Sequence, residues 1–372
     1  MIYFYKLINH DINKMQDFLD FIFYEVWMKA NIHQNFTIDL FDSNKDFRDI
    51  IFDFDNSTVS RDKKNWKKLF VTKIKTIFTY CKALKQKEIK QMKYWYASNN
   101  NIHKICKKKL SPINYKELEA FYKLLAHEMN EFYTMLYDHI LDKAIIETKF
   151  SSLDNYNKEF LKINNIGICP FCGLKEIYEE DSQNKNAYDH YLPKGTYPFN
   201  SVNFKNLAPM CDDCNGSSNK GTKDPLFKNG TRRKSFYSFV NSNNLDFNIE
   251  LTVNSKNYNI ELKDIDINIH SRNNQEEIET WNDIFSIKTR YKTACSSNSQ
   301  GKEWLLKVED ELHNYNSKYK FFNKLVNKIM TKINKDRYLN TLKKSYKRNP
   351  YVEKRFLQIP FLEACKKARI IK

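Results

Sequence analysis

CPFC at 169–172, YDHYLPK at 188–194 and NLAPMCDDCN at 206–215 decide how this chain is read. Two CxxC pairs, Cys169/Cys172 and Cys211/Cys214, stand with 38 residues between them. A CxxC turn lets both thiolates face one ion, and two such turns complete a tetrahedral four-sulfur site. A single pair would read equally well as a redox couple. Two pairs in a segment short of apolar residues point to one structural zinc per chain, with no coordination position left open for chemistry. Gly173 follows the first pair and Asn215-Gly216 the second, which suits the tight turns such pairs need. Cys81, Cys106, Cys295 and Cys365 stand alone and read as buried thiols.

Between the pairs lie Asp189-His190 and then Asn206. Asn215 and Lys220 follow the second pair. Taken singly, Asp189-His190 is a surface pair and Asn206 a turn residue. Their joint order inside a frame of cysteines resembles the HNH, or His-Me finger (ββα-metal), endonuclease family, over residues 165–224 and not over the flanks. The stretch from Asp189-His190 to Tyr197-Pro198 further resembles HNH proteins encoded in bacterial anti-phage defence loci.

The resemblance implies two strands and a helix around one metal ion. Asp189 and His190 would end the first strand and Asn206 would sit in the connecting loop. Leu207 to Cys211 would form the second strand, and the helix would begin near Asn215. It also implies roles. His190 would be the general base. Asp189 and Asn215 would hold a catalytic Mg²⁺, Asn206 would fix the loop and orient His190, and Lys194 or Lys220 would meet the phosphate. The third motif position is histidine in many members and Asn215 here. An oxygen donor beside a carboxylate favours a hard ion, hence Mg²⁺, with Mn²⁺ as the alternative. GSSNKGTK at 216–223 lacks the GK[ST] ending of a phosphate-binding loop, and no βαβ pattern precedes it.

The rest of the 372 residues is globular in composition, with 41% hydrophobic residues, 15% aromatic and seven glycines. Abundant lysine, asparagine, isoleucine, tyrosine and phenylalanine read as an A/T-rich coding bias. No run approaches the ~20 apolar residues a bilayer span requires, and the N-terminus lacks the pattern of a signal peptide. The expected location is a reducing cytoplasm, where metal ligands are a better reading of the cysteines than disulfides. Formal charge is +17 and uneven. Residues 61–109 carry a net +14, residues 316–372 another +14, and the remainder −11. Two basic tracts on a mildly acidic body suit a polyanionic partner.

Periodicity divides the chain into a helical N-terminal region (1–160), the cysteine-framed core (165–224) and a β-hairpin plus basic helical C-terminal region (225–372). The expected class is therefore α+β and mostly α. Apolar stripes predict helices over 15–28, 61–97, 115–149 and 276–291. The acidic segment 39–55 reads as loop or short helix. Alternation over 245–253 and 258–269, with a phase slip at Lys263-Asp264, predicts two paired strands. Pro350 and Pro360 should punctuate a helical tail that starts near Lys302. The functional expectation is a Mg²⁺-dependent endonuclease on DNA, an effector of bacterial defence gated by a partner such as an ATPase. The alternatives are a nucleic-acid-binding zinc module with an inactive centre, and an RNA-cleaving toxin.

Overall fold

The computed structural model describes residues 1–59, 63–179, 182, 186–240, 247–317, 336–345 and 348–371. The architecture is α+β and mostly helical, with small two-stranded sheets. The chain divides into two compact units. The larger comprises Phe4–Gly167 and Ile177–Asn243; the smaller comprises Met1–Tyr3, Ile168–Glu176 and Asn244–Lys372.

In the larger unit the stripe predicted over 15–28 forms α1 (Lys14–Phe21), which runs into one π-helical turn at Ile22–Trp27. Phe18, Leu19, Ile22, Phe23, Val26 and Trp27 are all buried, as their i, i+3, i+4 spacing requires. The acidic segment resolves into a 3-10 turn (Ile38–Phe41) and α2 (Lys45–Asp55). Asn44 caps α2 by accepting from Phe47 N at 3.2 Å; Phe47 and Phe54 face inward, while Phe52 between them is exposed. The long basic helix is two helices, α3 (Trp66–Cys81) and α4 (Gln86–Asn99). The break has a local cause: the Glu88 carboxylate accepts from Lys85 N at 2.7 Å and starts a new helix there. Arg61, at the head of the predicted helix, lies outside the described residues.

α5 (Ile102–Cys106) follows, then α6 (Tyr115–Phe121) and α7 (Lys123–Met135), a second π-helical turn at Leu136–Ile140, α8 (Ala144–Phe150) and α9 (Leu153–Ile163). Aromatic side chains fill the core. Trp27 meets Phe132 edge-on at 5.2 Å, and its Nε1 donates to Ile74 O at 3.2 Å. After α9 come β1 (Ala187–His190), β2 (Leu207–Met210), the short α10 (Asp212–Asn215), and a small hairpin of β3 (Phe227–Lys228) and β4 (Thr231–Arg232).

The smaller unit contains β5 (Asn248–Val253) paired antiparallel with β6 (Ile265–His270), with Val253 opposite Ile265. Leu251, Val253, Ile265, Ile267 and Ile269 face inward. Leu245, predicted to open the first strand, lies outside the described residues. The second run becomes a strand only at Ile265, because the phase slip is a 3-10 turn at Leu262–Asp264. The single helix expected over 276–291 is α11 (Gln275–Phe285) and α12 (Ile287–Cys295), separated by Ser286 at φ 54°. α13 (Gln300–Ser317) follows. Pro350 precedes the last helix, Arg355–Lys367, but Pro360 lies inside it and does not end it. That helix buries Phe356, Leu357, Phe361 and Leu362, and this packing outweighs the hydrogen bond proline cannot make. Within the second basic tract, residues 318–335 and 346–347 lie outside the described set. No helix among the described residues is long and apolar enough to cross a membrane.

Candidate active site and four-cysteine cluster

β1 and β2 pair antiparallel, with Asp189 opposite Ala208 and His190 opposite Leu207. Asp189 and His190 thus end the first strand, and Asn206 is the last residue before the second. The loop between the strands is tied to both by Asn206, which is fully buried. Its Oδ1 accepts from Leu192 N at 2.8 Å, while Nδ2 donates to Leu192 O at 3.0 Å and to Asn200 Oδ1 at 3.2 Å. Its backbone carbonyl accepts from Tyr191 N at 2.9 Å. One side chain therefore latches the start of the loop to its end.

Asn99, at the end of α4, supports the same loop from outside. Its Nδ2 donates to Pro198 O at 3.1 Å, and its carbonyl accepts from Asn200 Nδ2 at 3.3 Å. Asn203 Nδ2 donates to Asn100 Oδ1 at 2.9 Å. The asparagines that look like coding bias in the sequence are here the braces of a loop with little regular backbone pairing.

The braced loop presents the carbonyl of Ser201 to His190, 2.7 Å from Nε2. A carbonyl only accepts, so Nε2 carries the proton and Nδ1 is the nitrogen with a lone pair for chemistry. Burial pushes the His190 imidazole down to about 4, so it is neutral at physiological pH. The ring of Tyr137 meets it edge-on at 4.8 Å.

Asp189 is 7% exposed, and its Oδ2 is buried without a hydrogen bond. Burial raises its carboxyl above the usual range. Lys220, 0% exposed, brings a positive charge beside it, with Nζ 3.7 Å from Asp189 Oδ2 and 3.5 Å from His190 O. Burial lowers the ammonium of Lys220, and Asp189 opposes that shift. Lys194 is partly exposed and donates to both oxygens of Asp138 at 2.7 Å. The two lysines singled out for phosphate contact thus have different settings: Lys194 on the surface in an ion pair, Lys220 buried against the carboxylate.

Asn215 closes the short α10 and does not open a longer helix. Its N–H donates to Cys211 O at 3.0 Å, and α10 packs on β1. The helical turn ends there because the chain leaves it at Gly216 in extended backbone (φ −62°, ψ 156°). Gly216 accordingly needs no positive φ. Gly173 does, at φ 69°, and a Cβ there would lie 2.6 Å from Ile2 Cδ1 and from Phe356 Cζ.

The sulfurs of Cys169, Cys172, Cys211 and Cys214 all lie within 4.8 Å of one another, and all four residues are buried. Tetrahedral zinc with bonds of about 2.3 Å would space its sulfurs by about 3.8 Å, so the cluster suits that ion. Gly173 N donates to Cys169 O at 2.7 Å, and Cys214 N donates to Cys211 O at 3.0 Å, the turns that aim each pair inward. Trp281 Nε1 donates to Phe171 O at 2.6 Å and Tyr291 OH to Cys172 O at 2.9 Å, so the first turn is held by buried aromatic donors. Cys81, Cys106, Cys295 and Cys365 are buried thiols outside the cluster. Asp189 Oδ2, buried without a hydrogen bond, is an oxygen donor of the kind a hard cation takes.

No family model matches this chain, and no solved structure matches it. Over 56 residues it is 43% identical to the Septu protein PtuB of Bacillus thuringiensis. The matched stretch is 15% of this chain and spans a fifth of that relative's length.

Proposed function

We propose that the protein is a metal-dependent HNH endonuclease that hydrolyses phosphodiester bonds of DNA and serves as an effector of bacterial anti-phage defence. The observation that carries this reading is the arrangement around one loop. Asp189 and His190 end a strand, and Asn206 latches the loop. His190 Nε2 is fixed on Ser201 O at 2.7 Å, and a helical turn ending at Asn215 packs on the same strand. The partial identity to the Septu protein PtuB supports the defence role, and the four-cysteine cluster supports a zinc site.

Hydrolysis of a phosphodiester needs an activated water, stabilisation of charge on the phosphorus oxygens, and help for the departing oxygen. Neutral His190, its Nε2 anchored, takes the proton of a water at Nδ1. Asp189 and Asn215 would hold Mg²⁺, which supplies charge stabilisation at the phosphate and the leaving oxygen. Asn206 acts through the loop: it keeps Ser201 O where it sets the tautomer and tilt of the imidazole. Lys194 lies near the surface where a phosphate would approach, and Lys220 compensates the Asp189 charge from inside. The four cysteines hold a structural zinc that ties their two turns together. A protein partner such as an ATPase would raise the rate of a nuclease whose isolated form keeps a slow, Mg²⁺-dependent basal activity.

A second reading has one observation in its favour. Lys220, 3.7 Å from Asp189, already provides the positive charge a cation would bring, as an inactive centre in a nucleic-acid-binding module would have it. Nicking of supercoiled plasmid with and without Mg²⁺ separates the two. The nuclease reading expects Mg²⁺-dependent nicking by wild type, with Asn215→His shifted towards Mn²⁺ or Ni²⁺. Absence of nicking by zinc-replete protein in any divalent ion would leave the binding module. Competition with RNA tests the toxin alternative: a substrate preference for RNA would replace DNA in the proposal.

A further inference from the structure

α3 opens on Trp66, because the side chain of Asn65 accepts from Lys68 N at 3.0 Å and caps the helix there. Its first turn has no acidic residue. The indole of Trp66 stacks on the imidazole of His139, with centroids 3.5 Å apart and planes within 16°. Lys64 Nζ sits 4.1 Å from the centroid of the same indole. Both rings are half-buried, Lys64 is exposed, and all three line a cavity of about 380 Å³. Packed rings of the core, such as Phe70 and Phe132, are fully covered; this pair stands at a mouth instead.

His139 belongs to the π-helical turn Leu136–Ile140, and that turn links the cavity to the candidate active site. Three consecutive side chains make the connection. Tyr137 lies edge-on to His190, Asp138 accepts from Lys194, and His139 stacks on Trp66. Single π turns inside helices recur at functional sites because they shift side chains off the regular face. The acidic groups of the cavity do not make it anionic. Glu131 meets Lys73, which also serves Glu128, Asp138 meets Lys194, and Lys64 is a further cation on the lining.

We propose that the Trp66–His139 pair is a stacking seat for an unpaired nucleobase of a DNA strand whose backbone runs past Lys64 and Lys194 towards His190. This rests on the nucleic-acid reading above and adds the form of the substrate: a strand that is single or locally opened, because a base inside a duplex offers no free face. Lys64 covers the indole through a cation–π contact that is weak at an exposed position and moves to the phosphate when a base arrives. Stacking on an aromatic face accepts every base, so the seat selects for an unpaired strand and not for a sequence.

The test is the affinity of the full-length, zinc-replete protein for a fluorescent 12-nucleotide single strand without added Mg²⁺, and for the same strand carrying abasic positions. Trp66→Leu should weaken binding of the intact strand about tenfold and leave the abasic strand nearly unchanged. Trp66→Phe should keep most of the affinity. His139→Leu, which leaves the indole in place, should give an intermediate loss on the intact strand only. Equal losses on both strands, or no loss on either, would overturn the seat, as would a mononucleotide that competes as well as the strand does. Plasmid nicking by the same preparation keeps the two claims apart. Nicking by wild type with no base-dependent effect of Trp66 sinks the seat alone. Base-dependent binding without nicking leaves the seat standing and sinks the nuclease.

Discussion

At the scale of single residues, Asp189 is a carboxylate placed where a carboxylate is costly. It is 7% exposed, and its Oδ2 lacks a hydrogen bond. Lys220, itself fully buried, stands 3.7 Å away. Neither charge is tolerable alone in that setting. Lys220→Met should therefore destabilise the protein by on the order of 3 kcal/mol, and adding Asp189→Asn should recover much of the loss, because the pair is then removed together. Urea unfolding midpoints of the two variants check this; a Lys220→Met protein as stable as wild type would show that the pair does not matter. The strand end at Asp189-His190 and the loop position of Asn206 were legible in the sequence, whereas Asn215 closes a short helix where the sequence had it open one. Ser201 was not legible, since it acts through its carbonyl, which every residue has. Tyr137 and Asp138 were hidden inside an apolar helical stripe more than 50 residues upstream. Lys220 was legible as a basic residue near the motif, but not its burial against Asp189.

Among the elements, the loop between β1 and β2 has its start latched to its end by one amide, Asn206. Asn206→Ala would leave Leu192 N and Leu192 O without their partners inside the protein. The expected cost is about 1–3 kcal/mol of stability, together with a fall in kcat larger than any change in KM, because His190 loses its fixed orientation. Thermal unfolding and steady-state cleavage measure the two parts. Unchanged cleavage with lowered stability would confine Asn206 to holding the fold.

The cysteine turns make a second prediction at this scale. Protein purified without added zinc should contain about one zinc per chain, and Cys211→Ser should lower both the zinc content and the unfolding temperature. A metal-free protein of wild-type stability would contradict the zinc assignment. Most helices were legible from their stripes, but their interruptions were not. The break at 82–85 comes from the Glu88–Lys85 contact, and the one at Ser286 from a single backbone angle, neither of which alters apolar spacing. The asparagine braces of the loop were mistaken for coding bias because composition cannot tell a buried amide from an exposed one.

For the whole molecule, charge is the property that reaches furthest. Residues 61–109 and 316–372 each carry a net +14 in a chain of +17. If these tracts hold DNA by its phosphates, binding should be weakly sequence-dependent, and its logarithm should fall steeply with the logarithm of salt concentration. Titrations of one duplex at several salt concentrations test this. A flat dependence would mean that the lysines are solvated surface and do not form a DNA track.

The central claim is that His190 activates water for phosphodiester cleavage. The direct measurement is the single-turnover cleavage rate in Mg²⁺ of His190→Ala against wild type, with both proteins zinc-replete, folded and saturated with DNA. A general base acts only in the chemical step, so the account predicts a loss of about 10²–10⁴-fold in rate with DNA affinity unchanged. A His190→Ala protein that cleaves at the wild-type rate would contradict it.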